Sequence, residues 1–214
     1  MAAHATDFTW FGEHYAELAE AYCLTLVQGL SAEELLGRFA ALPGRRVTGL
    51  QAVVEAWDAF EDGEDETLGD DEQDRLLIAV TRLDGWALAV EVNGYLGTTW
   101  TLLPGLAEGT RLVSHFRNVN AVDHFHWWED GRTRLHFEPL FPEQRDGSDA
   151  DAPGIPELLT GCGFLPADDD RGGGPGNGLH TRAAFALAER LTDVRLTAGA
   201  LESAEYVLGY APRP

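Results

Sequence analysis

From Phe8 to Leu30 the apolar residues Phe11, Tyr15, Leu18, Tyr22 and Leu26 recur at intervals of three and four. That spacing lays side chains along one stripe of a helix, so it predicts an amphipathic helix over 8–30 with an aromatic face and with Cys23 inside it. Ser31 and Glu34 stand at capping-box spacing, which opens a second helix over 32–42. Pro43-Gly44 ends it, since neither residue continues a helix cheaply. Thr48 and Gln51 repeat the capping spacing, and Leu50, Val53, Val54, Trp57 and Phe60 give a third, short helix. Three helices are therefore expected before any strand.

Beyond residue 74 the pattern becomes strand-like. Residues 75–83 and 86–92 are rich in Val, Ile, Leu and Trp, and Asp84-Gly85 between them is a dipeptide suited to a two-residue hairpin turn. Asn93-Gly94 is a further turn signal. Residues 99–107 are ambiguous, and Pro104 argues against a long element there. Three more strands are expected over 110–117, 122–129 and 132–138, the last two joined by Asp130-Gly131. The tail reads as a turn-rich loop, a short helix over 155–159 ended by Gly161 and Gly163, a Gly-rich linker over 167–178, a helix over 181–194, and a last helix from Thr197 through Tyr206 and Val207. Runs of helix, then strand, then helix indicate an α+β domain over 1–214, helical over 1–60, with an antiparallel sheet of about five strands over 75–140 packed on one face by N- and C-terminal helices.

Three segments, EVNGYLG at 91–97, GTRLVSHFRNVN at 109–120 and LHFEPLFP at 135–142, together with the DG turn, resemble an uncharacterised actinobacterial family, the domain of unknown function 6461. The resemblance covers roughly residues 10–165 and leaves out the acidic segment and the tail. It implies an α+β domain and supplies no activity.

Charge changes the picture of what such a domain can bind. The 214 residues include 36 acidic and 15 basic ones, a formal net charge of −21, and every basic residue is Arg. At 44% hydrophobic and 10% aromatic residues the chain is too apolar for a disordered acidic polymer. The acidity argues against direct binding of nucleic acid or an anionic membrane, which rely on clustered Lys and Arg, and leaves a basic protein partner open. Nine of the acids, Glu61, Asp62, Glu64, Asp65, Glu66, Asp70, Asp71, Glu72 and Asp74, fall between residues 61 and 74, leaving −12 elsewhere. Such density reads as a solvated loop. Calcium fails on spacing: counted from Asp62, Thr67 and Gln73 stand at the sixth and twelfth positions, where an EF-hand needs Gly and Glu. The first residues lack the basic segment and apolar run of a signal peptide, no run approaches a membrane span, and two isolated cysteines make no disulfide framework; a cytoplasmic protein is the expectation.

Candidate chemistry is sparse. His124 and His126 share one face of a predicted strand, with His136 on its hairpin partner, and three such imidazoles would suit a divalent metal. A two-residue turn at Asp130-Gly131 pairs Phe125 with His136, however, and puts His136 on the opposite face unless a bulge intervenes. No metal or cofactor is therefore expected. Cys23 and Cys162 have no base predictable beside them, the Gly-rich tail lacks a phosphate-loop lysine, and no nucleophile-elbow, metalloprotease or dinucleotide fingerprint occurs. Asn93, Asn118 and Asn120 at strand ends normally close turns. With Tyr95, Trp100, His124, His126, Trp127 and Trp128 they are also the candidate recognition patch, because Trp127-Trp128 sends one large aromatic to each face of its strand. The function expected is a non-enzymatic protein-binding module of immunity or regulatory type acting on a basic partner. The alternative is a small-ligand-binding protein or enzyme with its pocket at Asn93–Tyr95 and Asn118–Asn120.

Overall fold

Asp84 and Gly85 both take positive φ, 47° and 84°, as do Asp130 and Gly131, at 49° and 69°. These are the conformations a tight hairpin turn needs, and both hairpins form where the dipeptides predict them. The computed structural model describes residues 2–64, 74–164 and 179–214. Its strands are β1 (Tyr22–Gln28), β2 (Leu42–Thr48), β3 (Arg75–Leu83), β4 (Trp86–Val92), β5 (Arg111–Arg117), β6 (Asp123–Glu129), β7 (Arg132–Phe137), β8 (Arg145–Asp146) and β9 (Glu205–Pro212). The helices are α1 (Thr9–His14), α2 (Ala32–Arg38), α3 (Leu50–Glu61), α4 (Leu103–Leu106), α5 (Ile155–Cys162), α6 (Leu179–Thr192) and α7 (Ala198–Ser203), with short 3₁₀ turns between some of them. Among the described residues none is long and apolar enough to cross a membrane.

The class is α+β, but the sheet has nine strands, ordered β2-β9-β3-β4-β1-β5-β6-β7-β8 and antiparallel throughout, where about five were expected. The N-terminal region is not all helix. The long first helix stops at His14, and Tyr22 to Gln28, with Cys23, is a central strand. Tyr22, Leu24 and Leu26 face one side and Cys23, Thr25 and Val27 the other; all six are buried, because the sheet is covered on both sides. Pro43 and Gly44 end no helix. They lie in edge strand β2, where a missing ladder donor is tolerated and the register shifts between Pro43 and Arg46.

The Ser31–Glu34 capping box is present in full, each side chain bonding the other's backbone N–H. The predicted cap at Thr48 is not: the N-cap of α3 is Gly49, without a side-chain bond. The ambiguous stretch holds the 3₁₀ turn Leu96–Thr98 and the single turn α4. The last predicted helix is short. It ends at Ser203, and Tyr206 and Val207 belong to β9, which lies between β2 and β3. The Gly-rich stretch at 167–178 lies outside the described residues.

One sheet face packs against α1, α3, α5, α6 and α7, with Tyr22, Leu88, Phe125, Tyr206 and Phe185 in its core. The other, expected to be bare, packs against α2, α4 and the 96–98 turn, with Ile78, Ala89, Leu96, Leu103, Leu112 and Trp128. Val92 and Arg117 both lie opposite Tyr22. The ends of β4 and β5 therefore share one end of the sheet with the starts of β3 and β6.

Candidate functional site

Glu91, on the second face of β4, is fully buried, and its carboxylate accepts the backbone N–H groups of Leu96 at 2.8 Å and Gly97 at 2.9 Å. It holds the chain in a tight return over the sheet. Asn93 begins that return at φ 49°. A Cβ on Gly94 would lie 2.5 Å from Glu91 Cβ, and one on Gly97 would lie 1.9 Å from Thr25 Oγ1 and 2.9 Å from Cys23 Sγ. The EVNGYLG spacing is thus accounted for by backbone geometry. Burial pushes the Glu91 carboxyl up to about 7, against the pull of the Gly97 and Leu96 amides. Beneath the turn, Thr25 and Ser114 hydroxyls are 3.0 Å apart and Cys23 Sγ lies 3.5 Å from Ser114 Oγ. Burial, then the Glu91 charge, raises the Cys23 thiol, which leaves it a poor nucleophile.

The second candidate loop closes on itself. Asn118 Oδ1 accepts the backbone N–H groups of Asn120 at 3.0 Å and Val122 at 3.1 Å, a local turn that occupies the Asn118 side-chain oxygen. Tyr95 is half-buried against the second-face core.

The histidines are where the structure departs most from the expected register. Glu129 pairs with Arg132 as predicted, but Trp128 pairs with Thr133 and Trp127 with Leu135, so Arg134 is an extra residue in a bulge. The slip brings His136 opposite His126, and all three histidines share the second face. Ring centroids are 4.5 Å apart for His126–His136, 5.5 Å for His124–His136 and 6.1 Å for His124–His126, with interplanar angles of 25°, 30° and 45°. Trp100 stands edge-on to His136, His126 and Trp128 at 5.0, 5.4 and 5.6 Å, and Phe116 stacks on His124. Thr98 Oγ1 and His126 Nε2 share a hydrogen bond of 2.8 Å. The rings lie over one another. Among the described residues no group of three or more His, Cys, Asp or Glu is arranged to hold a metal ion. Burial first, then the neighbouring histidines, pushes His126 well below the ordinary value; His136 is lowered for the same reasons.

The opposite face of the same strand carries residues that sequence reasoning did not single out. Asp123 is fully buried, and its oxygens accept from Arg117 Nη1 at 3.1 Å and Thr181 Oγ1 at 3.3 Å, with His180 Nε2 at 3.2 Å. Burial alone would raise its carboxyl; the His180 bond and the surrounding positive charge outweigh it and hold the group below the usual carboxylate range. His115 Nδ1 bonds the Tyr22 hydroxyl at 3.1 Å, and burial lowers this imidazole to about 4. Trp127 lies beside the guanidinium groups of Arg111 and Arg134, and its indole N–H donates to Glu129. With both faces covered, neither Trp127 nor Trp128 is a free aromatic. The signal for the ion network was the alternation of Asp123 and Phe125 against His124 and His126; its partner on α6, with 62 residues between Arg117 and His180, left none.

Of the acidic segment, Glu61, Asp62, Glu64 and Asp74 are exposed, and Asp74 pairs with Arg213 at 3.4 Å. Asp65, Glu66, Asp70, Asp71 and Glu72 lie outside the described residues.

These features define an α+β protein organised on one large antiparallel sheet, with a histidine-lined corner on one face. The chain belongs to the family of unknown function DUF6461, whose sequence profile matches residues 1–214. The match takes in the acidic segment and the tail, both of which the resemblance left out. No curated protein and no solved structure matches the chain.

Proposed function

We propose that the protein is a non-enzymatic recognition module that binds a basic protein partner through the corner formed by β5, β6 and β7. The observation that carries this is where the exposed large hydrophobic residues fall. Among the described residues they are Leu42, Trp100, Val119, Val122 and Phe141, and all but Leu42 lie on segments that join, follow or pack against β5, β6 or β7. Val119 and Val122 flank the turn into β6, Phe141 follows β7, and Trp100, 51% exposed, rests its other side on rings of β6 and β7. An aromatic fixed along one edge and open on the other gives contact area at low entropic cost. The net charge of −21 supports a basic partner by speeding encounter and rejecting acidic competitors. Asp74, the last acid of the acidic segment, directly precedes β3 at the same end of the sheet, four strands from β6, or about 19 Å at ordinary strand spacing. The small-ligand alternative is weakened because the Asn118 side-chain oxygen already accepts two backbone N–H groups within its own loop.

The test is capture from a lysate of the source organism by the immobilised protein, beside Val119→Asp and Trp100→Ala variants. The expected result is one basic protein, retained less as salt rises and weakened about 30-fold by Trp100→Ala, the scale of a binding hot spot. Val119→Asp alters a position that is 67% exposed and checks that folding is not the cause. Equal capture by all three proteins, or no capture at low salt, overturns the proposal.

A further inference from the structure

Native interiors pair nearly all their buried polar atoms. Among the described residues five buried side-chain nitrogens have no hydrogen-bond partner: His115 Nε2 on the first face, and His124 Nδ1, His126 Nδ1, His136 Nε2 and Trp128 Nε1 together on the second. The four belong to rings in contact with one another or with Trp100. Neutral imidazoles tolerate such stacking. Protonated ones do not, because each gains a positive charge a few ångströms from the next, with His126 fully buried and its two neighbours half-buried.

We propose that the His124–His126–His136 stack is an acid-operated latch that holds Trp100 and the Leu96–Thr98 turn against β6 and β7 while neutral and releases them when protonated. Besides the burial of Leu96 in the second-face core, the turn has two polar anchors. At one end the Glu91 carboxylate holds the backbone of Leu96 and Gly97; at the other, Thr98 bonds His126 and Trp100 abuts His126 and His136. Charging the stack weakens the second anchor and leaves the first as a pivot. Because Trp100 is central to the recognition surface proposed above, acid would reshape that surface. This consequence rests on the recognition reading, and the latch does not.

The groups facing the stack set its direction. From β5 come Ser114 and Phe116, from the turn Thr98 and Trp100, and from β6 itself Trp128, none of them charged at neutral pH. From β8 comes Asp146, paired with His136, which favours the charged form of that ring. Farther across the same face lie Cys23 and Thr25 on β1 and Glu91 on β4. Burial and mutual repulsion outweigh Asp146, so His126 and His136 both titrate below 6.5 and the latch is closed at neutral pH.

The experiment follows tryptophan emission of the chelator-treated, full-length protein from about pH 8 to about pH 4. The Trp100→Phe variant is subtracted, and far-UV circular dichroism is recorded in parallel. The expected result is a Trp100-specific change with its midpoint below pH 6.5, complete before the dichroism changes. It should be lost in His136→Gln and reduced in His124→Gln, both at half-buried positions. A Trp100 signal that coincides with the loss of dichroism is acid unfolding and overturns the latch. So does a transition that survives both substitutions or that needs added metal. Absence of the transition with partner capture intact removes the latch alone, and the reverse removes the recognition reading alone.

Discussion

Strand β6 carries histidine chemistry on both sides, and its two sides are built on opposite principles. On the first face Asp123 is buried with Arg117, His180 and Thr181 around it, and charge is compensated where it sits. On the second, His124, His126 and His136 are stacked with aromatic rings, and ring nitrogens are left unpaired. A satisfied buried network resists perturbation, whereas an unsatisfied one responds to anything that adds a proton or a partner. The first face therefore fastens α6 to the sheet, and the second is where the molecule can change.

The largest expected effect breaks the compensated side. Asp123→Ala leaves Arg117 and His180 facing each other without their carboxylate, and should cost about 3–5 kcal/mol in urea denaturation. A loss below about 1 kcal/mol would mean that the network is no fastening.

Next comes the pH dependence of stability, in which Glu91 opposes the buried histidines of both faces. Glu91 is raised from 4.5 to about 7, so its contribution is full below pH 4.5 and is lost as pH rises through about 7; the shift corresponds to about 3 kcal/mol. His115, lowered from 6.5 to about 4, contributes fully above pH 6.5 and loses that contribution as pH falls toward about 4; His126 and His136 act in the same sense. Thermal melting across pH should therefore peak between these limits, and Glu91→Gln should flatten the alkaline side alone. An unchanged alkaline slope in that variant would remove Glu91 from the account.

A smaller effect, on the order of 1–3 kcal/mol, is expected for Gly97→Ala, whose new methyl group collides with Thr25 Oγ1. Adding Thr25→Ala should recover part of the loss, a coupling that a double-mutant cycle measures. Strict additivity would show that the turn does not bear on β1.

What the sequence made legible was local. The two DG hairpins and the Ser31 cap are decided by residues within a few positions of one another, and they stand as read. Strands β1 and β9 were missed because their pairing is remote: Tyr22 lies opposite Val92 and Arg117, and Tyr206 opposite Val47. Their apolar spacing also continues the helical period of the segments before them, and only sheet contacts decide against it. At the site, alternation correctly sent Trp127 and Trp128 to opposite faces. The third histidine was misplaced by a single residue, since the bulge at Arg134 leaves no mark in the turn dipeptide.

The place of β9 in the sheet also governs timing during synthesis. Strands β2 and β3 are made early but do not touch; Glu205–Pro212 lies between them and hydrogen-bonds both. While the ribosome is still working toward residue 205, β3 has β4 on one side and an open, apolar edge on the other, and β2 has no strand to pair with. A nascent chain in that interval offers a strand-shaped vacancy to any extended segment nearby, including its own copies on the same message. The sheet is joined one strand in from its β2 edge, by a segment translated after every other described strand.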